Sequence, residues 1–253
     1  THLNNIHKVT PDYKDTKELS EICNALLAKS LLMFQPKTTQ NKQLVEELFN
    51  SFSQTLMNEH KNIELINNSP FVNLPGNNIE GNVDLIQGIR KATGSDYFFV
   101  YDIVNKVSTP YGPSKTKATC FRKYTYKKND TLYITEYQPT LYYQVKAGRN
   151  YSYTFSYKLV NATTNQIVSF QNLSVGKKDE VEYNEFQSKP VANIDSYYPY
   201  NPQSTAKIHQ FNPRSWRALF TANKNVKTEA ELEDIVNKET VQQFSKIINN
   251  YAK

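Results

Sequence analysis

The chain has 253 residues, enough for one large domain or two small ones with a sizeable core. Its net charge of +6 favours acidic partners such as nucleic acid, anionic lipid or acidic polymers, yet the basic residues are spread as on an ordinary soluble surface. The chain has seven glycines and no Walker or dinucleotide pattern, which argues against a phosphate-binding loop. No apolar run reaches the about 18 residues that predict a transmembrane helix.

Helix and strand patterns alternate along the first part of the chain. Asp15 and Glu18 resemble a capping box, Thr38 or Thr39 can cap the next helix, and Asn82 can cap a third. The predicted elements are, in chain order, a tether at 1–12, a helix at 16–27, a strand at 30–34, a helix at 41–60, a strand at 63–66, a loop at 67–78, a helix at 83–92 and a strand at 97–104. This alternation predicts an α/β layer with crossover connections.

The stretch 93–107 is the densest run of strand-forming residues in the sequence. Gly94 supplies a left-handed residue just past the end of a helix, and bulky residues follow from Tyr97 to Tyr101. No charged side chain interrupts the run before Asp102. The strand is therefore predicted to be covered on both faces and to lie inside a sheet.

Turn signals and alternating apolar residues predict antiparallel hairpins after Ser108. A loop is predicted at 110–113, and turns are predicted at 129–130 and 148–149. The predicted strands cover 116–127, 132–137, 140–146, 150–160 and 166–175. The strand at 150–160 alternates most clearly, which is typical of an antiparallel sheet with one dry face.

The last part of the chain combines an irregular segment with a helix. Residues 176–227 show little periodicity, and the prolines within 197–202 predict that this stretch cannot continue a strand ladder. A helical turn is predicted at 213–220. Thr228 and Glu231 form a capping box for a terminal helix whose apolar stripe is expected to dock on a sheet.

These patterns together predict a mixed α/β protein. We expect a two-layer or three-layer mixed sheet flanked by helices, with an antiparallel hairpin extension and a long C-terminal helix. One domain is expected overall. Its parts are a tether and helix at 1–27, an α/β core with antiparallel hairpins at 28–175, an irregular extension at 176–227 and a C-terminal helix at 228–253.

The sequence predicts no catalytic residues, no cofactor and no metal site, and hence no enzyme. The motifs H-E-x-x-H, C-x-x-C and G-x-S-x-G are missing from it. The acidic pairs Glu46-Glu47 and Glu231/Glu233 are typical of solvated helix faces. Asp96 is interpreted as a turn carboxylate, with a ligand-facing role at the mouth of a strand as the alternative. The histidines expected to be exposed or locally bonded are His2, His7, His60 and His209.

Two further features leave alternatives open. Cys23 and Cys120 are both expected in the core, and a disulfide between them is the alternative. Residues 121–128 mix basic and aromatic side chains, as a stacking platform for single-stranded nucleic acid does, but an exposed strand with lysines protecting its edge is the favoured interpretation. Insertion of hairpins near 118–160 into a membrane barrel is a third alternative, because residues 132–160 have the alternation of barrel strands, although their lysines suit a wetted sheet better.

Several segments carry a family resemblance. They are the strand at 31–35, the helix at 41–60, the strand at 63–66, the sequence GSDYFFVYDIV from Gly94 and the sequence SYTFSYKLVNATTNQIVSF from Ser152. They resemble a family of bacterial envelope lipoproteins that includes the curli-secretion channel lipoprotein, the lipoprotein activator of penicillin-binding proteins and the amino-terminal domain of TolB. In that family a Gly-small-Asp-Tyr turn precedes a central strand, and a later turn usually has glycine where this chain has Asn165. The Asn, Lys and Tyr bias is similar to that of members from Bacteroidetes.

The resemblance implies a non-enzymatic periplasmic domain held at the outer membrane by an N-terminal lipid anchor. Such a domain acts through protein–protein interaction in envelope assembly or secretion, with envelope proteins as partners. The alternatives are a ring-forming subunit of an outer-membrane secretion channel and a nucleic-acid binder that uses the strand near Arg122. Because Thr1 opens a polar segment, an export signal would have been removed before it.

Overall fold

The computed structural model describes residues 28–34, 36, 41–60, 62–66, 79, 82–204 and 212–251. The predicted tether, the helix at 16–27, the loop at 67–78 and Cys23 lie outside these residues. Within them are four helices and six strands. The elements are β1 Lys29–Phe34, α1 Lys42–Glu59, β2 Ile63–Ile66, α2 Val83–Thr93, β3 Tyr97–Lys127, β4 Tyr133–Asn161, β5 Gln166–Phe186, a 3-10 turn Ile194–Ser196, β6 Tyr197–Tyr198, α3 Pro213–Ala218 and α4 Glu229–Tyr251.

The strands form one mixed sheet in the order β2-β1-β3-β4-β5, and β6 pairs with β3. β1 runs parallel to both neighbours, with Leu32 opposite Ile66 on one side and opposite Phe98 on the other. Parallel neighbours joined through helices are the crossover connections that the alternating sequence pattern predicts. The mixed α/β fold with a hairpin extension and a long C-terminal helix is thus confirmed.

The central strand and its entry turn follow the local sequence signals. Asn82 Oδ1 accepts a hydrogen bond from the Leu85 backbone N–H at 3.0 Å and so caps α2. Gly94 ends the helix in the left-handed conformation, with φ of 72°. β3 then begins at Tyr97 beside β1, in the middle of the sheet, and Phe98 is fully buried. The predicted inner position of this strand is confirmed.

The strands after Ser108 are longer than predicted. β3 continues through the predicted loop at 110–113, and β4 continues through the predicted turn at 148–149, so both predictions are wrong. β5 extends to Phe186, so the prediction of irregular structure from residue 176 is wrong for the first part of that segment. Tyr197 and Tyr198 also pair with β3, although the prolines that follow them predicted no ladder.

The predicted turn at 129–130 and the two C-terminal caps are confirmed. Asn129 Oδ1 accepts from the Leu132 backbone N–H at 2.9 Å, which closes the β3–β4 hairpin. Asn212 caps α3 by accepting from the Arg214 backbone N–H at 2.9 Å. Before α4, the Thr228 N–H donates to Glu231 Oε2 at 2.7 Å and the Glu231 N–H donates back to Thr228 Oγ1 at 3.2 Å, as in a capping box.

Contacts divide the described chain into two compact units, where the sequence suggested one domain. The first unit holds the described residues up to Val107, then Ser152–Gly176, then those from Glu233 onward. Its core contains an aromatic cluster around Phe52 of α1, whose ring stacks on Phe244 of α4 at 4.2 Å between centroids. Tyr153 is also buried there, and its hydroxyl lies 2.7 Å from Thr240 Oγ1, so the polar tip is satisfied.

The second unit holds Ser108–Tyr151 and Lys177–Leu232. Its core is built around Trp216 of α3, which is 4% exposed and donates its indole N–H to the Tyr142 hydroxyl at 3.1 Å. The residues packed with them include buried Tyr197 and half-buried Phe186 and Phe220. Cys120 is buried in the same cluster, where desolvation raises the pKa of its thiol to about 12. Core packing is therefore the role of this cysteine.

Candidate protein-binding surface

Asp96, which the sequence places at the mouth of the central strand, fastens β1 to β3. Its Oδ2 accepts from the Ser30 backbone N–H at 2.9 Å, and its own N–H donates to the Ser30 carbonyl at 3.0 Å. The Asp96 carbonyl accepts from the Ala162 N–H at 2.8 Å. The Asp96 carboxylate and backbone are thus hydrogen-bonded to neighbouring strands. The turn-carboxylate interpretation is therefore confirmed, and a ligand-facing role is not supported.

His60 is buried instead of exposed, with 2% of its surface accessible. Its Nε2 lies 3.0 Å from Ser245 Oγ, so it is locally bonded as predicted. Desolvation lowers its pKa, although nearby Glu59 acts in the opposite direction, so the neutral imidazole is favoured in the folded state. The other three histidines lie outside the described residues. Within the described ranges, no group of three or more His, Cys, Asp or Glu side chains is arranged to hold a metal ion.

The acidic pairs are engaged in local structure. Glu46 pairs with Lys42 one helical turn earlier at 3.7 Å, and Glu47 accepts from Gln43 at 2.9 Å. Glu231 belongs to the capping box of α4, where the N–H and hydroxyl of Thr228 lower the pKa of its carboxyl. Glu233 pairs with Lys106 at 2.6 Å. The predicted solvated-face role thus holds for Glu46, Glu47 and Glu231, which are exposed, whereas Glu233 is partly buried in its ion pair with Lys106.

The basic and aromatic stretch 121–128 is partly inside the sheet. Phe121 and Arg122 pair with β6, so the edge-strand interpretation is wrong at these two positions. The rings of Tyr124 and Tyr126 stack at 5.6 Å between centroids, but the Tyr126 hydroxyl donates to Glu136 at 3.0 Å. A carboxylate therefore lies beside the stacked rings, which weakens this stretch as a nucleic-acid platform.

The outer edge of β5 departs from an ordinary solvated exterior. β5 is the last strand of the sheet, and no described strand pairs with its outer side. Its first part, residues 166–176, contains no charged residue and no proline. Three large apolar side chains there are exposed. They are Ile167 at 52%, Val168 at 37% and Phe170 at 52%. Residues 166–176 are hereafter the β5 edge segment.

The β5 edge segment itself carries none of the charged or proline residues that protect many natural sheet edges. Such edges usually carry lysine, proline or inward-pointing charges, or are covered by another segment. Further along β5 such a cover exists, because the Asn184 N–H donates to the Leu219 carbonyl at 3.0 Å and Asp179 accepts from the Lys227 N–H at 2.9 Å. Along the β5 edge segment the contacts to its backbone from outside the sheet include one from the Tyr251 hydroxyl to the Val168 carbonyl, at 3.3 Å.

Comparisons with known proteins do not assign this chain to a family. No family model and no curated protein matches it. A crystal structure described as a homologue of the neuraminyllactose-binding hemagglutinin, from Helicobacter pylori, aligns over 87% of this chain and 91% of its own, with 10% identity and a TM-score of 0.25. A likeness this weak carries no argument about fold or function. No helix among the described residues is long and apolar enough to cross a membrane.

Proposed function

We propose that this protein is a non-catalytic binding domain that receives an extended segment of a partner protein as an additional strand on β5. The observation that carries the proposal is the β5 edge segment, which is uncharged, free of proline and outermost in the described sheet. In strand addition, the open backbone N–H and C=O groups supply affinity, and the exposed side chains on either face supply specificity. Ile167 and Val168 are neighbours in a strand, so they offer one apolar contact on each face.

The partner is a different, acidic protein rather than a second copy. The chain carries a net charge of +6, so two copies repel one another at long range and an acidic partner is steered toward it. The β5 edge segment itself is neutral, so pairing does not bury a charge. Alternate apolar residues in the partner segment would match the exposed side chains of β5.

This binding domain is proposed to work in the periplasm, at the outer membrane, in envelope assembly or secretion. The support is the resemblance of the five segments between residues 31 and 170 to envelope lipoproteins. We expect the gene to encode, upstream of Thr1, a signal peptide that ends in a lipid-modified cysteine. A full-length gene without an export signal would rule out this location and leave the strand-addition proposal standing.

Strand addition is tested with the double variant Ile167→Asp/Phe170→Asp. Peptides selected from a displayed random library against the wild-type protein are expected to be acidic and to alternate apolar with polar residues. Hydrogen exchange should slow in the β5 edge segment when such a peptide binds, because its amides gain partners. The double variant should bind at least about tenfold more weakly, since it loses two apolar contacts and repels an acidic strand.

The control variant is Val83→Asp, because Val83 is 52% exposed, as are Ile167 and Phe170, but lies on α2. It should bind the peptides as the wild type does. Protection mapped to another surface, or equal binding by the double variant, would contradict the proposal. A double variant with a much lower free energy of unfolding would show that another part of this chain covers the β5 edge segment. That outcome would also contradict the proposal. Concentration-dependent dimers or rings of the wild type in native mass spectrometry would show that the partner is a second copy of this chain and not an acidic protein.

A further inference from the structure

The hairpin of β3 and β4 ends in a ribbon of two strands. β6 pairs with β3 at Phe121 and Arg122, before the ribbon begins. β5 also ends before it, because the next residue, Gln187, donates to the Leu141 carbonyl at 3.2 Å. Residues 123–135 are hereafter the β3–β4 tip. Two strands bury little apolar surface by themselves, so large apolar side chains on such a ribbon stay exposed until a partner covers them.

Polar contacts hold the β3–β4 tip together. Thr125 and Thr135 face each other across the two strands, with their hydroxyl oxygens 3.0 Å apart. Lys127 pairs with Asp130 of the turn at 3.2 Å. At the base of the tip, the Gln203 side-chain amide donates to the Thr135 carbonyl at 3.1 Å. These contacts fix the register of the two strands and leave their apolar side chains to face outward.

Each face of the β3–β4 tip exposes an aromatic side chain. Tyr133 lies two residues before Thr135 and is therefore on the face of the threonine pair, whereas Tyr124 adjoins Thr125 and is on the opposite face. Tyr133 is 66% exposed and Tyr124 is 42% exposed. Leu132, beside the turn, is 47% exposed. A protein surface that covers one face of the ribbon leaves the other exposed, whereas a fluid lipid layer surrounds both.

The β3–β4 tip is also positively charged. It carries the exposed lysines Lys123, Lys127 and Lys128, and Asp130 is its single acidic residue. Lysine and tyrosine suit the headgroup layer of a membrane, because ammonium groups meet lipid phosphates and tyrosine combines an apolar ring with a polar hydroxyl. The turn residues 129–131 are polar, so they favour a shallow position in that layer.

We propose that the β3–β4 tip docks on an anionic phospholipid surface at the depth of the headgroups. The rings of Tyr124 and Tyr133 and the side chain of Leu132 enter the interface, and the lysine ammonium groups lie among the phosphates. Nucleic acid is polyanionic too, but it offers no apolar layer for Leu132, and Glu136 at the Tyr126 hydroxyl repels it. The tip does not include the β5 edge segment, so the two proposals stand or fall separately.

Sedimentation of the wild-type protein with vesicles measures this docking. Vesicles of phosphatidylcholine with about 30% phosphatidylglycerol should bind the protein, and vesicles of phosphatidylcholine alone should bind it at least about tenfold more weakly. Raising the salt concentration from about 0.1 M to about 0.5 M should weaken the binding, because salt screens the phosphates. The variant Tyr133→Trp places an indole on the tip, and its emission should move to shorter wavelength when anionic vesicles are added.

Substitutions of lysine assign the charge effect to the β3–β4 tip. The charge variant is Lys123→Gln/Lys127→Gln/Lys128→Gln. Its matched control replaces three exposed lysines elsewhere and is Lys91→Gln/Lys189→Gln/Lys224→Gln. The charge variant should bind anionic vesicles at least about tenfold more weakly than the wild type. The control has the same net charge and should stay within about threefold of the wild type, because its lysines do not reach the membrane.

The apolar contribution is tested with Leu132→Ser/Tyr133→Ser, which should bind anionic vesicles several-fold more weakly. Its control is Met57→Ser/Val83→Ser, two similarly exposed side chains on α1 and α2, which should bind as the wild type does. If a tip variant does not fold, the indole of Tyr133→Trp still reports docking.

Equal losses for the charge variant and its control would overturn the proposal, because they would show a general attraction of a basic protein. Equal binding to neutral and anionic vesicles, or indole emission that vesicles do not change, would overturn it too. Binding of a single-stranded oligonucleotide that the charge variant loses, without binding of vesicles, would assign the tip to nucleic acid instead.

Discussion

Replacing Phe52 with alanine is expected to lower the free energy of unfolding by about 3–5 kcal/mol. Phe52 is fully buried, and its ring contacts those of Phe244, Tyr101 and Phe155, with centroids 4.2, 5.3 and 5.6 Å away. The substitution removes the ring that these aromatic side chains share and leaves a cavity that they cannot close without moving. Urea denaturation followed by circular dichroism measures the loss as a lower midpoint.

Two further variants on α1 distinguish the loss of core packing from a general effect of substitution in this helix. Phe52→Leu keeps most of the apolar volume and should lose less stability than the alanine variant. Met57→Ala changes a side chain that is 58% exposed and should shift stability by less than about 0.5 kcal/mol. A loss for Phe52→Ala as small as that for Met57→Ala would show that the aromatic cluster does not form in solution.

Replacing Trp216 with alanine is expected to have a comparable effect, about 3–5 kcal/mol, in the second unit. The indole packs edge-on against Tyr142 at 5.5 Å and against Phe220 at 4.9 Å between centroids. Its N–H also donates to the Tyr142 hydroxyl. Truncation therefore removes a large buried ring and a hydrogen bond together. Circular dichroism is the measurement, because Trp216 is the single tryptophan and the variant has no indole fluorescence.

The variant Trp216→Phe separates these two contributions. It keeps an aromatic ring in the cluster but removes the donor, so it should lose about 1–3 kcal/mol, less than the alanine variant. In the wild type, indole emission should move to longer wavelength in one step with the urea transition, as the buried ring becomes hydrated. Wild-type emission already typical of a solvated indole before urea is added would contradict the buried position of this residue.

The first half of the fold could be predicted because its signals are local. Asn82, Gly94 and the apolar run after them specify a cap, a helix end and a buried strand within about 20 residues. The capping box of Thr228 and Glu231 likewise specifies the start of α4 within a few residues. Each of these signals lies within a few residues of the element that it specifies, so no tertiary information is needed.

The long strands could not be predicted because two glycines have roles that the sequence does not reveal. The sequence pattern predicts turns at Gly112 and Gly148, yet each glycine permits close packing inside the sheet. A Cβ on Gly112 would lie 2.5 Å from the Lys146 carbonyl oxygen, and one on Gly148 would overlap the Tyr111 hydroxyl. Glycine inside a strand often marks such a close approach, whereas glycine between strands marks a turn, and only the partner strand tells the two apart.

The candidate binding surface and the burial of Asn184 illustrate the same limit in different ways. The β5 edge segment could have been found from its lack of charge, but its position at the outside of the sheet depends on strand order. Asn184 lies where irregular structure was predicted. No local pattern marks it as buried, because its burial arises from how Trp216 and Leu219 fold over the strand.

The turn between β4 and β5 affects how similar sequences can be found by sequence searches. Asn165 takes up a φ of 57°, a conformation that asparagine tolerates better than most residues, and Gln87 of α2 donates to its Oδ1 at 2.9 Å. The backbone at this point therefore accepts asparagine when a neighbouring helix anchors the amide. A search profile that demands glycine here would discard sequences that build the same bend with a different residue.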